Sequence, residues 1–421
     1  MTLTVADAAV RDSPERPGWA RLTALLQSDV DGREEPLWID VPAADAAGLR
    51  VSGDPFLAWL APLAATRGEA LRLEAPVDAQ LLLQVREVLR IWHIWYPQLA
   101  DVEVVAPDNT ESRPAYAEKP SPAPPEVLER PARRTASMFT GGVDSFFTVL
   151  RHDAGEGTPA TVSIDDLLYV HGFDVPLQNI AAAQRVQISL QRAADSLGKR
   201  FLFVATNLRD TCFGVTDWPR LAHGAALAGV AHALSGAYHT VLLGSSAGYG
   251  DLRFWGSHPL TDPMFSSSRL AFLHDGAAFM RVQKTEYVVR SPIAMRHLRV
   301  CWESAAGDNC GTCNNCIRTM VSLDALGVLD RSATFSREQL DLRRAGRIYC
   351  RHDYDYRQFG YVRDLAVREQ RPDIAAAVES SLAGSRRLAK RLALVRQLRD
   401  RRVVWRWAPA WERWLLRDWV D

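Results

Sequence analysis

Short apolar segments alternate with helix-like segments through the middle of the chain, and this alternation restricts the fold more than any other feature. The segments at 136–139, 167–170, 201–204 and 240–243 have the composition of buried strands. Stretches with helical spacing of apolar residues lie between them, at 178–197 and 221–236. Parallel strands need long crossover connections, which are usually helices. The sequence therefore predicts a doubly wound parallel α/β sheet within a domain at 135–330.

The regions on either side have a different character. Before this domain, 1–105 contains two short strand candidates and a helix candidate at 77–95, which predicts a small α+β domain. Seven prolines between 107 and 131 mark 106–134 as an extended linker. The last part, 331–421, is predicted to be a helical extension rich in arginine and tryptophan. We expect its tryptophans to dock a terminal helix, in preference to binding nucleic acid or a membrane surface.

The turn after the strand at 136–139 carries the most chemistry. Gly141 and Gly142 have no Cβ atoms, so that an anion can approach the backbone closely. A helix leaves the turn, and its first N–H groups would point at the same place. The hydroxyls of Thr140 and Ser145 can bind phosphate, and Asp144 can hold Mg²⁺ beside it. The pattern predicts a polyphosphate loop, although it is not the Walker sequence, which requires G-x-x-x-x-G-K-[ST].

Four cysteines are clustered with the spacing C-x8-C-x2-C-x2-C: Cys301, Cys310, Cys313 and Cys316. Four thiolates this close in sequence can converge on one tetrahedral ion, which would be structural because it has no open position. Zn²⁺ is the favoured ion, and an iron–sulfur cluster is the alternative. Cys212 and Cys350 stand apart from this group.

Two of these patterns resemble a known family. Residues 140–145 read T-G-G-V-D-S and resemble the S-G-G-x-D-S loop of PP-loop ATP pyrophosphatases. The cysteine segment resembles the zinc signature of the 7-cyano-7-deazaguanine synthase-like (QueC-like) branch, although Arg318 follows the last cysteine by two residues rather than three. Lys284 and Glu286 resemble the K-x-E helix start of the same branch. The resemblance spans about 135–325, and the segments 171–177 and 257–263 depart from the family pattern where its substrates bind.

The resemblance implies an adenine nucleotide alpha hydrolase-like fold, a zinc-bound insertion, and ATP, Mg²⁺ and Zn²⁺ as ligands. The expected ATP-binding residues are Thr140, Gly141, Gly142, Asp144, Ser145, His171 and Gly244. Asp144, Ser145 and Lys284 are the expected catalytic residues, and Asp174 and Asp262 are candidates for substrate binding.

The resemblance also implies an activity. A carboxylate, expected to be a 7-deazaguanine acid, would be adenylated with release of pyrophosphate and then joined to an amine. Ammonia would give an amide and then a nitrile. The flanking regions are similar to those of QueC-like proteins from anti-phage operons, in one class of which the N-terminal amine of a partner protein is the acceptor. Two alternatives stay open: a tRNA-modifying sulfur transferase with the same loop, and an ATP sensor without catalysis.

The composition restricts the partners and the cellular location that we expect for this protein. Lys and Arg total 50, as do Asp and Glu, so the balanced charge argues against nucleic acid as a partner. No apolar run has the roughly 18 residues of a membrane-spanning helix, and the first residues do not resemble a signal peptide. We therefore expect a cytoplasmic protein without a membrane partner, and the sequence leaves a homodimer open.

Overall fold

A computed structural model describes residues 1–107, 133–157, 161–400 and 408–420. Ten strands occur in these residues: β1 (Thr2–Asp12), β2 (Trp19–Ser28), β3 (Glu34–Pro42), β4 (Ala70–Leu73), β5 (Val104–Val105), β6 (Arg134–Met138), β7 (Asp166–His171), β8 (Arg200–Thr206), β9 (Tyr238–Gly244) and β10 (Ala271–Asp275). The four strands predicted in the middle of the chain are confirmed as β6 to β9. The predicted linker lies outside the described residues, apart from its ends.

All ten strands belong to one sheet with the order β10-β9-β6-β7-β8-β3-β2-β1-β4-β5. From β10 to β8 every neighbouring pair is parallel. The chain moves from β6 to β7 and β8 on one side, whereas β9 and β10 lie on the other side of β6. Such a reversal marks the place where open α/β sheets bind ligands, at the carboxyl ends of the strands.

The N-terminal strands continue this sheet. β3 runs antiparallel to β8, with Ile39 opposite Thr206 and Asp40 opposite Ala205. The hydroxyl of Thr206 also donates a hydrogen bond to the carbonyl oxygen of Trp38 at 2.7 Å. The region predicted as a small α+β domain therefore supplies five strands of the common sheet.

The chain divides into two compact units, and the first contains the whole sheet. This unit comprises 1–140, 148–246 and 252–278. Its helices are α1 (Asp54–Arg67), α2 (Ala79–Trp95), α4 (Ile180–Ser196) and α5 (His223–Ala233). α1 and α5 pack together, and the indole N–H of Trp59 donates to the carbonyl oxygen of Ala226 at 2.9 Å. The helices predicted at 77–95, 178–197 and 221–236 are confirmed.

The second unit comprises 141–147, 247–251 and 279–421, and its described residues are mainly helical. The residues of α3 (Val143–Asp153) are divided between the two units. The helices of the second unit are α6 (Arg281–Val288), α7 (Pro292–His297), α8 (Asn314–Ala325), α9 (Leu342–Ala345), α10 (Asp353–Arg368), α11 (Pro372–Asp400) and α12 (Ala408–Leu416). α10 packs against α8 and α11. The ring of Trp419 lies against Gly384 of α11, where an added Cβ would be 2.5 Å from it. Trp411 and Trp414 are exposed. None of the described helices is both long enough and apolar enough to span a membrane.

Candidate functional site

The turn between β6 and α3 combines a glycine in the left-handed backbone region with the start of a helix. Gly141 has a φ of +75°, a backbone conformation that glycine adopts without strain. Its carbonyl oxygen accepts a hydrogen bond from the backbone N–H of Arg299 at 2.8 Å. The Ser145 hydroxyl donates to the carbonyl oxygen of Gly142 at 3.0 Å, which closes the turn. Because the first N–H groups of a helix have no helical partner, the start of α3 offers donors and a positive dipole end here.

Two basic residues of α6 contact Asp144, in the first turn of α3. The Oδ2 atom of Asp144 forms an ion pair with the guanidinium of Arg281. Its Oδ1 atom lies 3.5 Å from the Nζ atom of Lys284, whose side chain is 1% exposed. The ring of Phe147 also lies 5.6 Å from this ammonium. The structure therefore brings together Asp144 and Lys284, both predicted as site residues.

Arg318 is a third basic residue near Asp144, and it adds to the positive charge of Arg281 and Lys284. Burial lowers the pKa of Arg318, and the nearby charge of Arg281 lowers it further. Asp355 also lies near Arg318, but its carboxylate accepts backbone N–H groups from residues 351 and 352 at 3.0 Å. Three basic residues, Arg281, Lys284 and Arg318, therefore lie near Asp144. A group of basic side chains favours an anionic ligand.

Four sulfur atoms converge in the cysteine cluster. The Sγ atoms of Cys301, Cys310, Cys313 and Cys316 all lie within 4.8 Å of one another. The Cys301–Cys313 and Cys310–Cys316 distances are 3.9 and 3.8 Å. Sulfurs bound at ~2.3 Å to a tetrahedral ion are about 3.8 Å apart. The four cysteines could therefore hold a metal ion such as zinc.

The backbone around the cluster also suits a metal ion. Gly311 has a φ of +70°, which allows the tight turn between two of the cysteines. The N–H groups of Thr312 and Cys313 each donate to Cys310 Sγ at 3.3 Å. Hydrogen bonds led by that with Cys316 lower the pKa of Cys313, whereas the hydrogen bond with Cys313 raises the pKa of Cys316 and burial raises that of Cys301. A metal ion would bind all four sulfurs as thiolates.

The two remaining cysteines have a different environment. Cys212 and Cys350 are buried. Burial raises the pKa of each to about 12. Both are therefore protonated and poorly nucleophilic at neutral pH.

Three of the predicted nucleotide-binding residues lie at the carboxyl ends of neighbouring strands in the first unit. Thr140 is two residues beyond the end of β6, His171 ends β7 and Gly244 ends β9. His171 is buried, which lowers its pKa, and its Nε2 atom lies 3.1 Å from the carbonyl oxygen of Pro176.

The two predicted substrate residues are near one histidine. Burial lowers the pKa of His223, although the charges of Asp262 and Asp174 oppose that shift. Asp262 is fully buried. Its carboxylate accepts from the Ser257 hydroxyl at 2.6 Å and is 2.7 Å from Nδ1 of His274. Asp262 therefore holds its own loop together, whereas Asp174 is only partly buried.

Sequence reasoning missed two arginines at the turn. Arg281 lies one helical turn before Lys284, so its position on the same face could have been predicted from the spacing. Arg299 acts through its backbone N–H, and no side-chain pattern predicts such a contact.

Comparisons with protein-family models, curated proteins and solved structures found no match. The candidate site is therefore defined by its own residues: the glycine turn, the Asp144–Arg281–Lys284 cluster and the four cysteines.

Proposed function

We propose that this chain is a QueC-like ligase that uses ATP, forms AMP and pyrophosphate, and joins a carboxylate to an amine. The acid is a 7-deazaguanine carboxylate or a close relative. The observation that carries this proposal is the placement of Lys284 and Arg281 against Asp144 at the start of α3. Together with the glycine turn, these groups would bind a polyphosphate chain.

The chemistry has two stages. A carboxylate oxygen of the acid attacks the α-phosphorus of ATP, and the bond to the oxygen that bridges the α- and β-phosphorus atoms breaks. Its electron pair leaves with pyrophosphate, whose charge Lys284, Arg281 and the N–H groups of the turn stabilise. The amine nitrogen then attacks the acyl carbon and loses a proton, and AMP leaves with the former carboxylate oxygen. With ammonia, the amide oxygen would attack the α-phosphorus of a second ATP and release a second pyrophosphate. AMP would then leave with that oxygen, and the amide nitrogen would lose both of its protons to give the nitrile.

The residues fit the two expected metal ions. The Oδ1 atom of Asp144 is buried and accepts no hydrogen bond from the described residues, and its ion pair with Lys284 is long at 3.5 Å. This oxygen would be available to a metal ion once phosphates bind the lysine. Mg²⁺ prefers such ligands and usually binds together with substrate phosphates, which would offset the basic residues beside Asp144. A zinc ion held by the four thiolates would stabilise the segment between α7 and α8.

The biological role depends on which amine is joined to the activated acid. Ammonia would make the chain a small-molecule enzyme, whereas the N-terminal amine of a partner protein would make it a protein-modifying enzyme of the anti-phage type. The flanking regions, which the PP-loop resemblance does not cover, favour the protein acceptor.

The two alternatives predict different behaviour. A sulfur transferase needs a reactive cysteine outside the metal cluster, and the raised pKa values of Cys212 and Cys350 disfavour that reading. An ATP sensor would bind ATP and release no pyrophosphate.

Turnover by the purified chain tests the proposal. The chain is incubated with Mg·ATP and 7-carboxy-7-deazaguanine, with and without ammonia, and the products are followed by mass spectrometry. We expect AMP, pyrophosphate and, with ammonia, the amide and nitrile. Bound ATP without pyrophosphate would support the sensor instead. Mass added to an operon partner protein would identify a protein acceptor.

A further inference from the structure

The first unit contains a second concave site, on the face of the sheet beside α4. It lies where the N-terminal strands β2 and β3 meet β7 and β8, and it has a volume of about 520 Å³. This volume is within the ~300–1,000 Å³ range of small-molecule pockets. Its lining includes Arg16, Trp19, Trp38, Gln184, Gln187 and Phe203.

Aromatic rings form one apolar wall of this pocket, and aliphatic side chains also line it. Trp19 meets Phe203 edge to face, with 6.4 Å between ring centroids. The guanidinium of Arg21 lies 4.0 Å from the ring centroid of Trp38 and holds this indole in place. Flat, well-packed rings favour a planar ligand.

Arg16 supplies a positive charge with unused hydrogen-bonding capacity. Its natural counter-ion, the fully buried Asp40, is bound by Arg21 through both oxygens at 2.6 and 2.8 Å. Arg16 is left with a longer ion pair to Asp40 at 3.8 Å. Its guanidinium also lies 3.5 Å from Nδ1 of His171, and its central carbon lies 5.4 Å from the ring centroid of Trp19. A guanidinium has five N–H donors, so that several are available to a ligand.

His171 fixes the position of this arginine. Because its Nε2 atom lies 3.1 Å from the carbonyl oxygen of Pro176, Nε2 carries the proton and Nδ1 accepts from Arg16. The lowered pKa of the buried ring keeps this neutral form at neutral pH. Gln184 and Gln187 of α4 add amide donors and acceptors to the opposite wall.

We propose that this pocket binds the acid that the ligase activates: a planar heteroaromatic carboxylate, with its ring against Trp19 and Trp38 and its carboxylate on Arg16. This inference rests on the proposed function, because the ligase reaction is what would consume the bound acid. Gln184 and Gln187 would bind the polar edge of the ring, and His171 acts as a positioning residue for Arg16. The N-terminal strands would thus complete the substrate pocket.

Binding to the full chain without ATP tests this site. Two probes are titrated by calorimetry: 7-carboxy-7-deazaguanine and 7-cyano-7-deazaguanine, which has a nitrile in place of the carboxylate. We expect the acid to bind more tightly, and Arg16→Gln to weaken the acid about 10- to 100-fold while leaving the nitrile unchanged. Trp19→Leu should weaken both probes about tenfold. His171→Leu should weaken binding of the acid and leave binding of the nitrile unchanged. A variant that failed to fold would lose binding of both probes.

Arg33→Gln is the matched control, because Arg33 is exposed and outside the pocket. Equal affinities of the two probes, or unchanged acid binding in Arg16→Gln, would overturn the proposal. So would competition between the acid and ATP in the absence of turnover, because the pocket would then belong to the nucleotide. If the acid binds in a manner that depends on Arg16 but the chain shows no turnover, the proposed ligase activity is refuted and the pocket proposal stands. If the chain shows turnover that does not depend on Arg16, the ligase proposal stands and the pocket proposal is refuted.

Discussion

The Oδ1 atom of Asp144 lies 3.5 Å from the Nζ atom of Lys284, and the lysine side chain is almost completely buried. A buried ammonium is costly unless an opposite charge is close. Asp144 supplies that charge, although Arg281 also binds it. A bound polyphosphate could take over this role and release one carboxylate oxygen for a metal ion.

Substitution of Asp144 by Asn should therefore change two measurements in opposite directions. Binding of pyrophosphate in EDTA should become tighter by about fivefold, because one negative charge near the basic residues is removed. Turnover with Mg·ATP should fall by about 100-fold or more, because the metal ligand is lost. Calorimetry and pyrophosphate release measure the two effects. Asp364→Asn, at an exposed position, is the control, and equal affinities of Asp144→Asn and wild type for pyrophosphate would contradict the assignment.

Lys284→Met keeps the length and the apolar part of the side chain and removes its charge. We expect turnover to fall by about 10²- to 10³-fold, because stabilisation of the leaving pyrophosphate is lost. Asp144 retains its ion pair with Arg281, so the variant should fold. Lys390→Met removes an exposed lysine and should retain full activity. Normal turnover of Lys284→Met would show that this ammonium has no part in the reaction.

The cysteine cluster should contain about one zinc ion per chain by metal analysis. Cys313→Ser should lose this ion and lower the melting temperature, because a structural metal contributes to folding. Cys350→Ser should retain the zinc, since Cys350 lies outside the cluster. A normal zinc content of Cys313→Ser would refute the site.

Protonation of His171 should make stability depend on pH. Burial lowers its pKa below the ordinary value of 6.5 in the folded chain only. Below about pH 6.5 the unfolded chain binds the extra proton, so the free energy of unfolding falls as the pH falls towards the folded-state pKa. His171→Gln should reduce this loss of stability below about pH 6.5. Urea unfolding measures it, with the exposed His239→Gln as control; equal pH dependence in both variants would contradict the prediction.

Features encoded within a few residues were predictable. All six residues of β7 are buried, and its four central residues form the continuous apolar run that marks the strand. The four cysteines are close in sequence, and their spacing alone indicates a shared ion. Lys284 was predicted as a site residue from the three-residue K-x-E motif.

Contacts between distant segments were not predictable in this way. Arg281 meets Asp144 across 137 positions, and that contact depends on where α6 packs. The pairing of Ile39 with Thr206 joins the N-terminal strands to the central sheet, and no local pattern marks either residue as a partner. The pocket at Arg16 exists only because of that pairing.

Isotope transfer is the most direct measurement of the proposed chemistry. The acid is prepared with ¹⁸O in both carboxylate oxygens and turned over with Mg·ATP and ammonia. If a carboxylate oxygen attacks the α-phosphorus, each AMP should carry one ¹⁸O atom and the pyrophosphate none. Formation of ADP and phosphate, or AMP without the label, would contradict adenylation of the acid.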